Sequence, residues 1–173
     1  MKNLIILSVL LAAFCLSGCQ APTGSEGKNL AVVQAYVDAV KNEDFDKMQS
    51  LLADDYLGLG PSLGDSINKE GALASWKYNS ENLYESMDFE LTQLLETSVA
   101  EGPAQGDWVS NWSLVTITYQ DGRGPVSLWV NVVYKIENGK IARSRTFYNE
   151  ADVYEQLGYR IFPPLQLPEE EEG

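Results

Sequence analysis

The chain has 173 residues, 12 basic against 25 acidic side chains and no histidine, and its formal net charge is −13. A surplus of that sign argues against nucleic acid as a partner and against spreading on an anionic lipid surface. Without histidine there is no Ser-His-Asp triad, no imidazole metal ligand and none of the usual general base near pH 7, so any proton acceptor must be a carboxylate, a tyrosine, a lysine or water.

Residues 1–18 read as an export signal. Lys2 supplies a short positive start, Leu4 to Phe14 is almost wholly apolar, and "LSGC" closes the segment at Cys19. The apolar run is shorter than the ~20 residues a spanning helix needs. Small residues followed directly by cysteine resemble the bacterial lipobox. That resemblance implies cleavage before Cys19, lipid on its sulfur and amine, and a bacterial envelope protein whose bilayer contact is Cys19. Cleavage removes Lys2 and leaves the mature chain one unit more acidic. Cys15 lies in the cleaved part, so no cysteine remains for a disulfide, a thiolate nucleophile or a metal. No metal or other cofactor is expected. Residues 19–28 read as a polar tether and 161–173, ending in "PEEEEG", as an acidic tail. One domain is expected between them, residues 29–160.

Within that domain Leu30, Val33, Val37 and Val40 mark one face of a helix over about 29–42. Asp44 can cap a second helix, with Phe45, Met48, Leu51 and Leu52 on one side. Asp54 and Asp55 are expected at its end. "YLGLG" reads as a short strand and Pro61 to Asp65 as a turn. Ser66 or Asn68 can cap a third helix carrying Ala72, Leu73, Trp76 and Leu83. From Met87 the period becomes two. Four strands follow, "MDFELTQLLETSVA", "DWVSNWSLVTITY", "VSLWVNVVYKI" and "KIARSRTFYNE", the last two joined by an Asn-Gly turn. "ADVYEQLG" is a short closing helix. Helices followed by consecutive antiparallel strands predict an α+β fold with helices on one face of the sheet.

"NLAVVQAYVDAVKNEDFDKMQSLLADDY" and "YKIENGKIARSRTFYNEADVYEQLG" resemble the opening helices and last hairpin of the nuclear transport factor 2-like superfamily, in particular the ketosteroid isomerases and SnoaL-like proteins. The resemblance spans residues 29–159. It implies a cone-shaped, curved antiparallel sheet with three N-terminal helices enclosing a pocket, often dimeric through the outer sheet face. Ketosteroid isomerases use an Asp base with a Tyr and a protonated Asp as oxyanion donors. Tyr36, at the end of "AVVQAY", matches the oxyanion Tyr. Asn131, nine positions before Lys140, matches the second donor. The position of the base is Gly60, before Pro61, and Asn149 replaces a further Asp of the last strand.

Ligand contacts are therefore expected from Tyr36, Trp76, Trp129, Asn131 and Tyr148. Tyr36 and Trp76 fit core packing equally as residue types. Trp129 and Asn131 share one strand face with Ser127 and Val133; the other face is apolar, and the sequence leaves open which one lines the pocket. Asp55 and Asp65 are the weak catalytic candidates, each also explained as a terminus or turn residue. The leading expectation is a membrane-anchored domain that binds a small apolar or carbonyl-bearing ligand without catalysis. The alternatives are a carboxylate-dependent isomerase, lyase or cyclase, and a structural dimer or interaction module.

Overall fold

The computed structural model of the chain describes residues 27–162. The export signal, Cys19, most of the tether and most of the acidic tail lie outside the described residues. Helix α1 (Lys28–Lys41) packs Val33, Tyr36, Val37 and Val40 inward, as its apolar spacing dictates. Its first turn is tied to the sheet: the Asn29 amide donates to Glu96 Oε1 at 2.6 Å and the Gly27 N–H to Glu96 Oε2 at 3.3 Å. Helix α2 (Phe45–Leu51) starts at Asp44, whose carboxylate accepts from the Lys47 N–H.

The junction that follows corrects one expectation. Asp54 and Asp55 do not belong to a helix end. Leu52 already has extended backbone, and both aspartates sit inside strand β1 (Leu52–Leu59). The physical reason is burial: Leu52 is fully enclosed and Tyr56 nearly so, and both are satisfied by a strand. Asp54 faces out and accepts from Lys69 Nζ at 3.0 Å, while the same ammonium donates to the Leu52 carbonyl. Strand β2 (Ser66–Asn68) folds back on β1, and Asn68, not Ser66, caps helix α3 (Lys69–Asn82) by accepting from the Gly71 N–H.

Four long strands follow: β3 (Tyr84–Val99), β4 (Gly106–Tyr119), β5 (Val126–Glu137) and β6 (Lys140–Phe147). The β5–β6 turn is Asn138-Gly139 with both residues at positive φ, the geometry that matches strand twist. The sheet order is β2-β1-β6-β5-β4-β3. All pairs are antiparallel except β1 with β6, which is parallel. Helix α4 (Glu150–Gln156) returns over the start of β5, where Gln156 donates to the Ser127 carbonyl and accepts from its N–H.

The architecture is thus α+β: a curved, unclosed six-stranded sheet with three N-terminal helices, the expected cone. Met48, Leu52, Ile141, Val33 and Val109 are fully buried between helices and sheet. Enclosing each such side chain stabilises the fold by about 1.5–3 kcal/mol. No helix among the described residues is long and apolar enough to cross a membrane.

Candidate functional site

The layers leave a cavity of about 390 Å³ between α1, α3 and the concave face of the sheet. That lies within the range of small-molecule sites. Its middle is apolar, lined by Met87, Phe89, Val115, Leu128, Val130 and Val132. Its deep end is polar. Tyr36 from α1, Tyr56 from β1 and Tyr134 from β5 meet there, with the Tyr36 and Tyr134 rings edge to face at 6.0 Å. Tyr56 Oη and Ser144 Oγ share a hydrogen bond of 2.7 Å. Asn111 and Ser113 are buried polar residues of β4 in the same wall, and Ser113 Oγ donates to Asn111 Oδ1 at 3.1 Å. Toward the mouth stand Tyr84, Tyr119 and Tyr148, with Val153 of α4 across from them.

Among the described residues no carboxylate, lysine or arginine lines this cavity; its titratable groups are six tyrosines. Burial pushes every one of them above the ordinary phenol value. Tyr84 is raised to about 12. Tyr36 and Tyr134 are raised furthest, by burial first and then by neighbouring tyrosine hydroxyls, with Trp76 and Asn111 respectively opposing the shift. Such hydroxyls are neutral hydrogen-bonding groups, not bases. Among the described residues no group of three or more carboxylates is placed to hold a metal ion.

Gly60, where the resemblance asks for a base, lines the cavity but has no room for a side chain. Its φ is +88°, and a Cβ there would sit 2.5 Å from the Thr146 carbonyl oxygen of β6. Gly58, on the same face, makes space for the Tyr56 hydroxyl, which lies 2.7 Å from where a Cβ would be.

The expected site residues divide. Tyr36, Trp76 and Tyr148 line the cavity. Trp129 and Asn131 do not, which is a correction: they point from the convex face, where Trp129 is 61% exposed. The Asn131 amide donates to Ser110 Oγ at 2.9 Å and to the Asn111 carbonyl at 3.2 Å. The reason is strand alternation. Leu128, Val130, Val132 and Tyr134 turn inward, and counting back from the Asn-Gly turn lands one residue off, which flips the face. The inward amide is Asn111, the cross-strand partner of Val132. Asp55 and Asp65 are both exposed and outside the wall. The Asp55 carbonyl accepts from Arg143, and the Asp65 carboxylate accepts from the Ser62 N–H, so each serves local structure. Asn149 caps α4, accepting from the Asp152 N–H.

Tyr56, Tyr134, Asn111 and Ser113 are the site residues that sequence reasoning missed. Tyr56, Gly58 and Gly60 alternate along one face of "YLGLG", a signal that was available. Asn111 and Ser113 carried none, since polar residues alternating with Trp108 and Trp112 suggest the reverse orientation.

Comparison with known families decides what this architecture is. The model of the SnoaL-like domain matches residues 33–144, well over half of the chain. The chain belongs to the SnoaL-like domain family. Solved structures similar to this SnoaL-like chain share its fold at low identity. A nuclear transport factor 2-like protein of unknown function from Burkholderia pseudomallei is 16% identical, with a TM-score of 0.63, covering 77% of this chain and 99% of its own. A protein from Silicibacter sp. TM1040 described as a proposed polyketide cyclase is 21% identical, TM-score 0.60, covering 75% and 94%. An M. tuberculosis epoxide hydrolase of the LEH-like type is 18% identical, TM-score 0.55, covering 75% and 89%. No curated protein matches the chain.

Proposed function

We propose that this SnoaL-like domain is an envelope lipoprotein that binds a small neutral ligand, apolar in its body and bearing a carbonyl or similar acceptor, without transforming it. The observation that carries the reading is the cavity wall: tyrosine, asparagine and serine groups converge at one end, and among the described residues no carboxylate, lysine or arginine stands beside them. A positioned acid or base contributes about 10²- to 10⁴-fold to such reactions. Donors alone bind a carbonyl and leave its neighbouring C–H bond intact. The anchor is Cys19 and the location is the bacterial envelope, supported by the "LSGC" pattern.

A carboxylate-dependent isomerase, lyase or cyclase would need Asp55 or Asp65 beside Tyr36. Both face solvent, and Gly60 cannot carry a replacement. A second copy of the chain is the proposed cover for the convex face, where Leu91, Leu95, Trp112, Trp129 and Phe147 stand exposed. The test is native mass spectrometry of the protein from its own cells, followed by binding titration of any retained ligand. The expected result is a retained neutral molecule whose affinity falls about tenfold in Tyr36→Phe, the loss of roughly one hydrogen bond. A ligand bound equally by both proteins, or one chemically altered on incubation, refutes the reading.

A further inference from the structure

We infer that Ser113 and Trp76 set the hydrogen-bonding polarity of the cavity's deep end. Each fixes a neighbouring side chain so that protons, not lone pairs, face the ligand, and the site selects an acceptor over a donor of the same shape. This rests on the binding reading above, and the two residues give that reading its chemical preference.

Strand β4 turns Asn111 and Ser113 to one face, and both are buried, at 3% and 1% exposure. Their partners across on β5 are Val132 and Val130, which make no demand for polar neighbours. The pair is held in a chain of hydrogen bonds that runs one way. Ser113 Oγ donates its single proton to Asn111 Oδ1 at 3.1 Å. Its oxygen lies 3.3 Å from Oγ1 of Thr92, the residue opposite on β3, which is thereby left as the donor. With Oδ1 occupied, the Asn111 amide presents its N–H end on the other side, toward Tyr134.

The phenols carry the direction onward. Burial raises Tyr36 and Tyr134, and hydrogen bonds from Trp76 and Asn111 respectively oppose the rise, as a donor held to a phenol oxygen does. An indole has an N–H and no acceptor, so the bond from Trp76 to Tyr36 runs only one way. Each phenol oxygen receives a proton, and each phenol's own proton is left for the cavity, where the two rings stand edge to face at 6.0 Å. Among the described residues no carboxylate lines the cavity to take those protons. A ligand oxygen that offers only lone pairs completes them. A ligand hydroxyl in the same place brings a further proton into a group of donors and leaves it unpaired, a loss of about tenfold in affinity.

The experiment uses the full-length protein in lipid nanodiscs, with empty nanodiscs as the blank. The probes are cyclohexyl methyl ketone and cyclohexyl phenyl ketone, each paired with the alcohol of the same skeleton. Calorimetric titration gives the ketone-to-alcohol affinity ratio. The expected ratio is about tenfold in the native protein and within about twofold of unity in Ser113→Ala, where the freed amide can turn its oxygen to the alcohol. Ser113→Thr, which keeps the hydroxyl, should restore it, and Trp76→Phe, which lacks the N–H, should lower it. A merely structural role weakens both probes alike and leaves the ratio in place. A second measurement needs no variant to fold: in the isotope-labelled native protein, the Asn111 amide protons should give nuclear Overhauser contacts to the Tyr134 ring. A native ratio near one, a ratio unchanged in Ser113→Ala or in Trp76→Phe, or amide protons that contact the Ser113 β-protons and not the Tyr134 ring, overturns the inference and leaves the binding reading standing. Native protein that binds neither ketone, or that chemically alters one, refutes that reading and this inference with it.

Discussion

Replacing Gly60 with alanine tests whether the missing base is a vacancy that could be refilled or a position closed by the backbone. Two effects add. A Cβ at φ +88° meets the steric penalty of left-handed backbone, about 1–2 kcal/mol. The same Cβ falls 2.5 Å from the Thr146 carbonyl oxygen, a main-chain atom of β6 that cannot rotate away as a side chain can. Relieving that contact shifts β1 against β6 and brings the total destabilisation to about 2–4 kcal/mol. For a domain of this size that lowers Tm by roughly 6–12 °C. Thermal unfolding followed by circular dichroism, at matched protein concentration, measures it. Gly60→Asp should be at least as destabilised and gain no ability to exchange a proton next to a bound carbonyl. If Gly60→Ala melts within about 2 °C of the native protein, the backbone is not closed and the reasoning fails.

Four further outcomes are expected. Tyr56→Phe should cost about 1–2 kcal/mol in urea unfolding, and a double-mutant cycle with Ser144→Ala should show coupling of about 1 kcal/mol; additive effects would mean the 2.7 Å hydrogen bond contributes nothing. Stability should fall as pH rises above about 10, because the six cavity tyrosines hold their protons in the folded state and lose them in the unfolded one; the decline runs from the ordinary phenol value up through the raised ones, to about 12 for Tyr84. Unfolding curves at stepped pH that stay level from 9 to beyond 11 would contradict it. Asn111→Ala should weaken ligand binding about tenfold while Asn131→Ala leaves it unchanged, as read by calorimetry, and the reverse order would restore the discarded orientation of β5. Trp129→Glu should shift the protein toward monomer in sedimentation without altering ligand affinity; a native protein that already sediments as a monomer removes the proposed dimer.

Much of the fold was legible in the sequence because local rules and burial agree. The 3-4-3 spacing of Leu30, Val33, Val37 and Val40 gave α1, and Asn138-Gly139 gave the last hairpin. The partnership of β1 with β6 had no local mark, since it joins residues at opposite ends of the domain. The cavity was only half legible. A strand shows which residues share a face, but not which face looks inward, unless one is clearly polar. On β5 the outward face carries Trp129, a residue that suggests burial, and on β4 the inward face carries Asn111 and Ser113, which suggest solvent. Tertiary context reversed both.

The parallel β1–β6 pair has a consequence for how the domain is assembled. Tyr56 and Ser144, which join β1 to β6 across the cavity wall, are 88 residues apart in the chain. As the polypeptide emerges N-terminus first, β1 can pair with β2 at once, but its other edge waits until nearly the whole domain has been delivered. Contacts of such separation form late and slow folding. If the chain is exported unfolded, as the proposed signal implies, it would close this wall only after β6 has crossed. Under the export proposed above, the wall would form last, on the far side of the membrane.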